Sequence, residues 1–159
     1  MTPEISSIIQ HHTSTAPVQM VPLAQDLGLR VFRTDEWPEN VSGAILRNTE
    51  RWQSDSGYVV FVNGKHHVNR RRFTIAHEIG HFVLHKDRIG DGITDDALFR
   101  SGQSNQIETE ANQFAARILM PNDLLLPKWA SPLSTIQSLA EEFEVSPVAM
   151  SIRLGVPYL

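Results

Sequence analysis

The chain has 159 residues, of which 41% are hydrophobic and 20% are charged. This length suits one domain with a small appendage, and it is sufficient to bury a hydrophobic core without cross-links. The 14 basic and 18 acidic side chains give a net charge of -4, which argues against general binding to nucleic-acid phosphates or anionic membranes. Because the chain has no cysteine, disulfides, thiolate metal sites and cysteine nucleophiles are excluded, while seven histidines remain as candidate metal ligands.

Neither a secretory signal nor a membrane span is predicted. The first residues, MTPEISSIIQHH, lack the basic flank and apolar run of a signal peptide. The densest apolar run, YVVFV at 58–62, is far shorter than the roughly 20 residues that cross a bilayer. We therefore expect a cytoplasmic protein with no membrane partner.

The first half of the chain predicts two short helices followed by strands. Spaced isoleucines before residue 10 indicate an opening helix, and residues 21–27 indicate a second helix that ends at Gly28. Strands are predicted at 29–33, 43–47 and 58–62. We expect them to form a three-stranded antiparallel sheet packed on helices.

The second half predicts helices. A helix begins near Asn69 and presents a face with three- and four-residue spacing, and another covers 107–120 and ends at Pro121. The polar segment 86–106 between them is predicted to be a long surface loop. A final helical pair is expected at 133–143 and 146–154. Strands first and helices later predict an α+β fold, with a main domain at 1–130 and a helical appendage at 131–159 packed on it.

The sequence HEIGH at 77–81 has the pattern H-E-x-x-H within the first long helix. Residues i and i+4 lie one above the other on a helix, so His77 and His81 can reach one metal ion while Glu78 reaches a water molecule bound to it. Zinc accepts such donors, and a catalytic zinc site keeps one coordination position open. The other interpretation is two hydrogen-bonded histidines in a core, but burying them with a glutamate and no shared partner would be costly.

A third ligand is expected on the second long helix, where Glu108 and Glu110 are rivals. At about 100° per residue, Glu108 falls at the edge of the apolar face, one turn before Asn112, whereas Glu110 lies further out and suits a solvated or ion-paired role. Glu108 is the better ligand, with Asn112 as an acceptor that orients a histidine; the alternative is that Glu108 is only an interface carboxylate. His85 lies about 12 Å beyond the first histidine of the motif on a helix rising ~1.5 Å per residue, so we assign it a packing role.

Two segments together resemble a known family more specifically than HEIGH alone. RRRFTIAHEIGHFVLH at 70–85 and IETEANQFAARILMP at 107–121 resemble the ImmA/IrrE family of zinc metallopeptidases. The shared features are the aromatic-Thr-x-Ala lead into the motif and the E-x-x-A-N helix that ends in Leu-Met-Pro. Similarity is also visible in VPLAQDLGLRVF and VSGAIL, so the resemblance covers about residues 20–121.

The resemblance implies a gluzincin-like fold, with zinc (Zn2+) bound by His77, His81 and Glu108 and with Glu78 as the catalytic base. It also implies a protein substrate, an intracellular transcriptional repressor with a helix-turn-helix domain that is cleaved to relieve repression. Members of the family act in bacterial mobile-element control, toxin–antitoxin-like pairs and stress responses.

The expected reaction is hydrolysis of a peptide bond by a zinc-activated water molecule. Glu78 takes the proton from this water and delivers it to the leaving amine. The substrate is expected to add to an exposed strand edge, supplied by either 43–47 or 58–62. An additional donor for the oxyanion is also expected, with four candidates: Tyr58, His67, Arg72 and Arg100.

Residues 137–155 resemble a helix-turn-helix. The second helix offers only Arg153 as a cation, and Glu141, Glu142 and Glu144 repel phosphates, so we do not expect direct DNA binding. The competing hypothesis is a non-catalytic, zinc-containing regulator that binds DNA or a repressor through these helices.

Overall fold

Helices and one mixed sheet make up the part of the chain that the computed structural model describes, residues 1–96 and 102–158. The predicted α+β class is confirmed. The seven α-helices in these ranges are α1 (Pro3–His12), α2 (Met20–Asp26), α3 (Val68–Leu84), α4 (Gly102–Leu119), α5 (Asn122–Trp129), α6 (Ile136–Phe143) and α7 (Pro147–Leu154). The strands are β1 (Arg30–Thr34), β2 (Val41–Arg47), β3 (Tyr58–Asn63) and β4 (Gly92–Asp96). None of the helices in the described ranges is both long and apolar enough to cross a membrane.

The sheet has the strand order β1-β3-β2-β4. β2 runs antiparallel to β3 and β4, whereas β1 runs parallel to β3. The predicted three-stranded antiparallel sheet is therefore wrong in the number of strands and in the direction of β1. β4 lies within the segment predicted to be a loop. Its sequence, GITDD, has a single large apolar residue, and the strand is formed by backbone hydrogen bonds with β2. A composition-based prediction cannot detect such a strand.

Alternate residues of the strands face the hydrophobic core. Ile45 of β2 and Val60 of β3 are fully buried, and they share one cluster with Ile75 and Ile79 of α3. Strand register places four apolar residues in one row across the sheet: Val31, Val60, Ile45 and Ile93. The sheet thus supplies a flat apolar surface on which α3 packs.

α3 is buried along most of its length. It contacts β2 and β3 of the sheet, and it also contacts α4. Several of its buried residues are polar or charged: Arg72, Thr74, His77, Glu78 and His81. Since buried polar groups are costly unless they have partners, this composition points to a function inside the fold rather than to stability alone.

Gly80 permits the close approach of α3 and α4. A Cβ atom added to Gly80 would lie 3.1 Å from Cδ1 of Phe114 and 3.2 Å from the Cα of Ala111. Glycine within a helix lowers stability by about 1 kcal/mol relative to alanine, so its presence here needs a reason. The reason is packing: α4 is so close to α3 that an added side chain at residue 80 would force the neighbouring atoms of α4 to shift.

The C-terminal helices share the core of the rest of the chain. Phe143 and Met150 are fully buried in the same cluster as the sheet and α3, and buried Arg72 donates hydrogen bonds to the carbonyls of Phe143 and Glu144. α6 begins at Ile136, three residues later than predicted, because Thr135 forms a capping box with Ser138. The helix-turn-helix character of this pair and the domain division at residue 130 stay predictions.

The sequence does not predict α5, because Pro127 lies inside this helix and a proline normally interrupts or ends a helix. It lies in a segment where the sequence predicts no element. Its buried Leu125 joins the same core cluster. Tertiary packing therefore overrides a local signal at this point.

We expect substitutions of Gly80 to separate α3 from α4. In an ordinary helix, replacing glycine by alanine raises the free energy of unfolding by about 1 kcal/mol. Gly80→Ala should not show this gain, because its Cβ would lie too close to Ala111 and Phe114. Gly80→Val should lower the free energy of unfolding by about 1–3 kcal/mol through overpacking. Urea denaturation of the two variants and the wild type measures both effects. A stabilised alanine variant together with an unchanged valine variant would contradict this account of the helix contact.

Candidate metal centre

Three side chains from α3 and α4 converge at one point. Nε2 of His77 lies 2.9 Å from Oε2 of Glu108, and Nε2 of His81 lies 3.1 Å from Oε1 of the same carboxylate. One donor atom from each of the three residues lies within 4.8 Å of the others. The histidines come from successive turns of α3, and Glu108 comes from the facing helix. The structure thus brings together the three residues predicted to be metal ligands.

The ring of His77 is oriented by α4. Its Nδ1 atom lies 2.7 Å from Oδ1 of Asn112, the residue expected to act as this acceptor. Since an amide oxygen can only accept a hydrogen bond, Nδ1 of His77 carries the proton, and Nε2 of the neutral ring has its lone pair toward Glu108. A lone pair that faces a carboxylate oxygen at 2.9 Å requires a proton or a cation between them. This arrangement fits a bound divalent metal.

The protonation states of the cluster suit metal binding. Burial acts to raise the pKa of Glu108, but the favourable interactions with the adjacent His77 and His81 imidazoles outweigh it and hold the pKa of this carboxyl well below its ordinary range. Burial lowers the pKa of His81, and the adjacent Glu108 carboxylate only partly opposes this effect. Near neutral pH, Glu108 is therefore ionised and His81 is neutral, which are the forms that bind a divalent cation.

Glu78 is fully buried at the boundary between α3 and the sheet. Its Oε1 atom lies 3.2 Å from the point where a Cβ atom of Gly43 would stand, and that Cβ would also lie 2.4 Å from Cγ2 of Thr74. The missing side chain at Gly43 therefore gives β2 room to pass next to the Glu78 carboxylate. Sequence reasoning did not identify Gly43, although a glycine inside a predicted strand is a known indication of close approach.

His85 has more than the packing role predicted for it. α3 ends at Leu84, and the buried His85 that follows places Nδ1 3.0 Å from Nδ1 of His81 and Nε2 2.8 Å from Oε2 of Glu110. Hydrogen bonds with His85 and Gln106 lower the pKa of Glu110, which agrees with the ion-paired role expected for this residue. The signal in the sequence was the repeat of histidine at four-residue intervals.

The candidates for an oxyanion donor have other contacts in the structure. His67 caps α3 by accepting a hydrogen bond from the Asn69 amide, and Arg72 donates to carbonyls between α6 and α7. The Tyr58 ring packs edge-to-face on Phe82. Arg100, the fourth candidate, lies outside the described residues.

The strands predicted to form a substrate-binding edge are both interior. Residues 43–47 lie in β2 and residues 58–62 in β3, and these are the two central strands of the sheet. The prediction of an edge at either strand is therefore wrong. The edges are formed by β1 and β4, and β4 is the one that pairs with β2, the strand next to Glu78.

Comparison with known proteins agrees with this geometry. Residues 24–155 match the family described as the IrrE N-terminal-like domain, peptidase family M78. The radiation response metalloprotease IrrE of Deinococcus radiodurans is 37% identical over 93 residues, which are 55% of this chain and 28% of that protein. A transcriptional regulator of Mycobacterium tuberculosis has a similar fold, with a TM-score of 0.63 over 98% of this chain and 48% of that chain, at 19% identity.

This chain spans less than half the length of either relative. The match to the family nevertheless covers both long helices, with HEIGH on α3 and Glu108 on α4, and extends through most of the chain. The resemblance identified in the sequence is confirmed, and the chain belongs to the IrrE N-terminal-like domain family of metallopeptidases.

Proposed function

We propose that this chain is a zinc-dependent endopeptidase of the gluzincin type that cleaves an intracellular regulatory protein, a helix-turn-helix transcriptional repressor. The observation that carries the proposal is the convergence of His77, His81 and Glu108 from two helices, with Glu78 adjacent to the first ligand on α3. The family supports a peptidase, and the Deinococcus relative is a metalloprotease. The repressor as substrate follows from the family resemblance of the sequence.

Zinc is the metal that the donor set fits best. Two imidazole nitrogens and one carboxylate are three protein ligands, and this number leaves a fourth position of a tetrahedral site open for chemistry. The chain has no cysteine that could close the site as a structural one. When bound, zinc would supply Lewis acidity that makes a water molecule more acidic and polarises the scissile carbonyl.

Glu78 is the proposed catalytic base. Its side chain is shielded from bulk solvent, and it follows directly after a ligand residue on the same helix. In this role, Glu78 takes the proton from the attacking water and returns it to the amine nitrogen of the leaving fragment. The close packing of Gly43 against Oε1 restricts the carboxylate on the side of the sheet.

The substrate is proposed to bind in an extended conformation along β4. Among the described strands β4 is hydrogen-bonded to β2 alone, so its other side offers backbone groups for an additional strand. β2 in turn passes next to Glu78 at Gly43. A peptide on β4 would therefore lie at the edge of the sheet that is nearer to β2 and Glu78.

The competing hypothesis of DNA binding through the C-terminal helices has less support. The guanidinium of Arg153 donates hydrogen bonds to the carbonyl of Met120 and to Oδ1 of Asn122. These contacts tie the cation on which DNA recognition would depend to the segment between α4 and α5. The acidic side chains of Glu141, Glu142 and Glu144 oppose the approach of phosphates.

We expect Glu78→Gln to abolish proteolysis without loss of zinc. Removing a general base lowers a rate by about 100-fold or more, whereas the amide keeps the size of the side chain. The test incubates the zinc-loaded chain with helix-turn-helix regulators from the same genome, beginning with any that is encoded next to this chain, and follows cleavage by mass spectrometry and zinc by elemental analysis. Glu50→Gln, an exposed residue outside the cluster, is the matched control. A zinc-loaded wild type that cuts none of these regulators, under inducing conditions as well, would refute the proposed function.

We also expect zinc to stabilise the fold through the three proposed ligands. A ligand at 100 times its Kd adds about 2.7 kcal/mol to the free energy of unfolding, so the melting temperature of the chelator-treated chain should rise on addition of zinc. Glu108→Ala should remove this rise, whereas Glu50→Ala should keep it. Equal zinc-induced stabilisation in both variants would mean that Glu108 is not a ligand.

A further inference from the structure

We propose that His85 and Glu110 are positioning residues that hold His81 in the one ring orientation and tautomer in which its Nε2 atom faces the metal. The proposal rests on the function proposed above, because it assigns these residues to the same metal centre. Neither residue contacts the metal position itself. They act through a chain of two hydrogen bonds that ends on a carboxylate.

The chain of contacts is continuous and largely shielded from water. Nδ1 of His81 lies 3.0 Å from Nδ1 of His85, and Nε2 of His85 lies 2.8 Å from Oε2 of Glu110. His81 is fully buried and His85 is 4% exposed, whereas the side chain of Glu110 is 41% exposed at the outer end. Gln106 donates a hydrogen bond of 2.9 Å to the other carboxylate oxygen of Glu110, which fixes its orientation.

The direction of each hydrogen bond follows from the carboxylate. An ionised Glu110 can only accept, so Nε2 of His85 carries a proton and donates it. In the form of His85 that carries a single ring proton, Nδ1 has a lone pair and accepts the hydrogen bond from Nδ1 of His81. With its proton on Nδ1, the neutral His81 ring has its lone pair on Nε2, the atom that lies 3.1 Å from Glu108. With one proton on each ring, the contacts leave one choice of tautomer for His81.

His85 lies at the end of α3, one turn after His81. Residues four apart share a face of a helix, so the two rings are neighbours, with centroids 5.2 Å apart. The backbone leaves the helical region at His85, with φ -125° and ψ 24°, immediately after the last helical residue. The ring of His85 contacts His81 through Nδ1 and Glu110 of α4 through Nε2.

α4 thereby controls both histidine ligands. Glu108 belongs to the proposed metal site, Asn112 binds Nδ1 of His77, and Glu110 acts on His81 through His85. The two anchors differ in charge, since Asn112 is neutral and Glu110 is anionic. A carboxylate at the end of the hydrogen-bond chain makes the connected imidazole a stronger electron donor to a metal. We therefore expect Glu110 to contribute more to metal affinity than its exposed position indicates.

The test compares zinc affinity in the full chain and in the variants Glu110→Gln and His85→Phe. Competition with a chromophoric chelator should show a Kd for zinc raised by about 10-fold for Glu110→Gln, and by 10- to 100-fold for His85→Phe. The double variant should be no weaker than His85→Phe, because the two residues act in series. Asp26→Asn is the matched control, since it removes the contact of 2.6 Å between His12 and Asp26, another histidine–carboxylate pair on α1 and α2.

A second readout separates positioning from simple packing. Nitrogen-15 NMR of the zinc-loaded chain should show the Nδ1–H tautomer for His81 and the Nε2–H tautomer for His85. The opposite tautomer at either ring would overturn the proposal, as would an unchanged zinc Kd in Glu110→Gln. Glu110 is partly exposed, so this variant is informative even if His85→Phe fails to fold.

The two proposals fail in distinguishable ways. If the wild type binds zinc and Glu110→Gln binds it equally well, the positioning role is wrong and the endopeptidase is unaffected. If the wild type and its variants show the expected zinc affinities and tautomers but no regulator is cut, the positioning role is supported and the proposed function fails. A wild type that does not bind zinc overturns both.

Discussion

The contact of α3 with α4 at Gly80 is the constraint on which the candidate metal centre depends. The Cα of Ala111 and the ring of Phe114 lie 3.1–3.2 Å from the point where a Cβ atom of residue 80 would be. This short separation brings Glu108 within about 3 Å of two histidines that belong to a different helix. A wider spacing would separate the carboxylate from both imidazoles at once. Packing and ligation are therefore properties of one helix pair, and the cost of a glycine inside a helix is offset by what it allows.

A second close approach, between α3 and β2 of the sheet, positions the proposed base Glu78. Gly43 of β2 leaves space for Glu78, and the sheet holds β2 between β3 and β4 by antiparallel pairing. α3 thus has a glycine contact toward the sheet and another toward α4. Both contacts involve backbone, which adapts less easily than a side chain. The position of the helix that carries HEIGH is therefore fixed on the side of the sheet and on the side of α4.

The buried polar residues of α3 have their partners on other elements. His77 contacts Asn112 and Glu108, and Arg72 contacts the carbonyls between α6 and α7. Burying such a helix is unfavourable unless each of its polar groups finds a partner, and these partners lie on other elements of the chain. This dependence explains why the partly exposed Glu110, at the outer end of the hydrogen-bond chain, matters to the proposed site.

Much of the candidate site could be predicted from the sequence, because its defining relation is local. Residues four apart on a helix share a face, so the positions of His77 and His81, and the alignment of Glu108 with Asn112, follow from helical periodicity alone. The α+β class and most of the long elements also follow from periodicity and end signals. The order of the sheet, the parallel direction of β1 and the presence of β4 do not, because strand pairing joins residues that are far apart in the chain. The contact of His85 with Glu110 likewise exists only when α4 packs on α3, since no periodicity in one segment encodes a hydrogen bond to another.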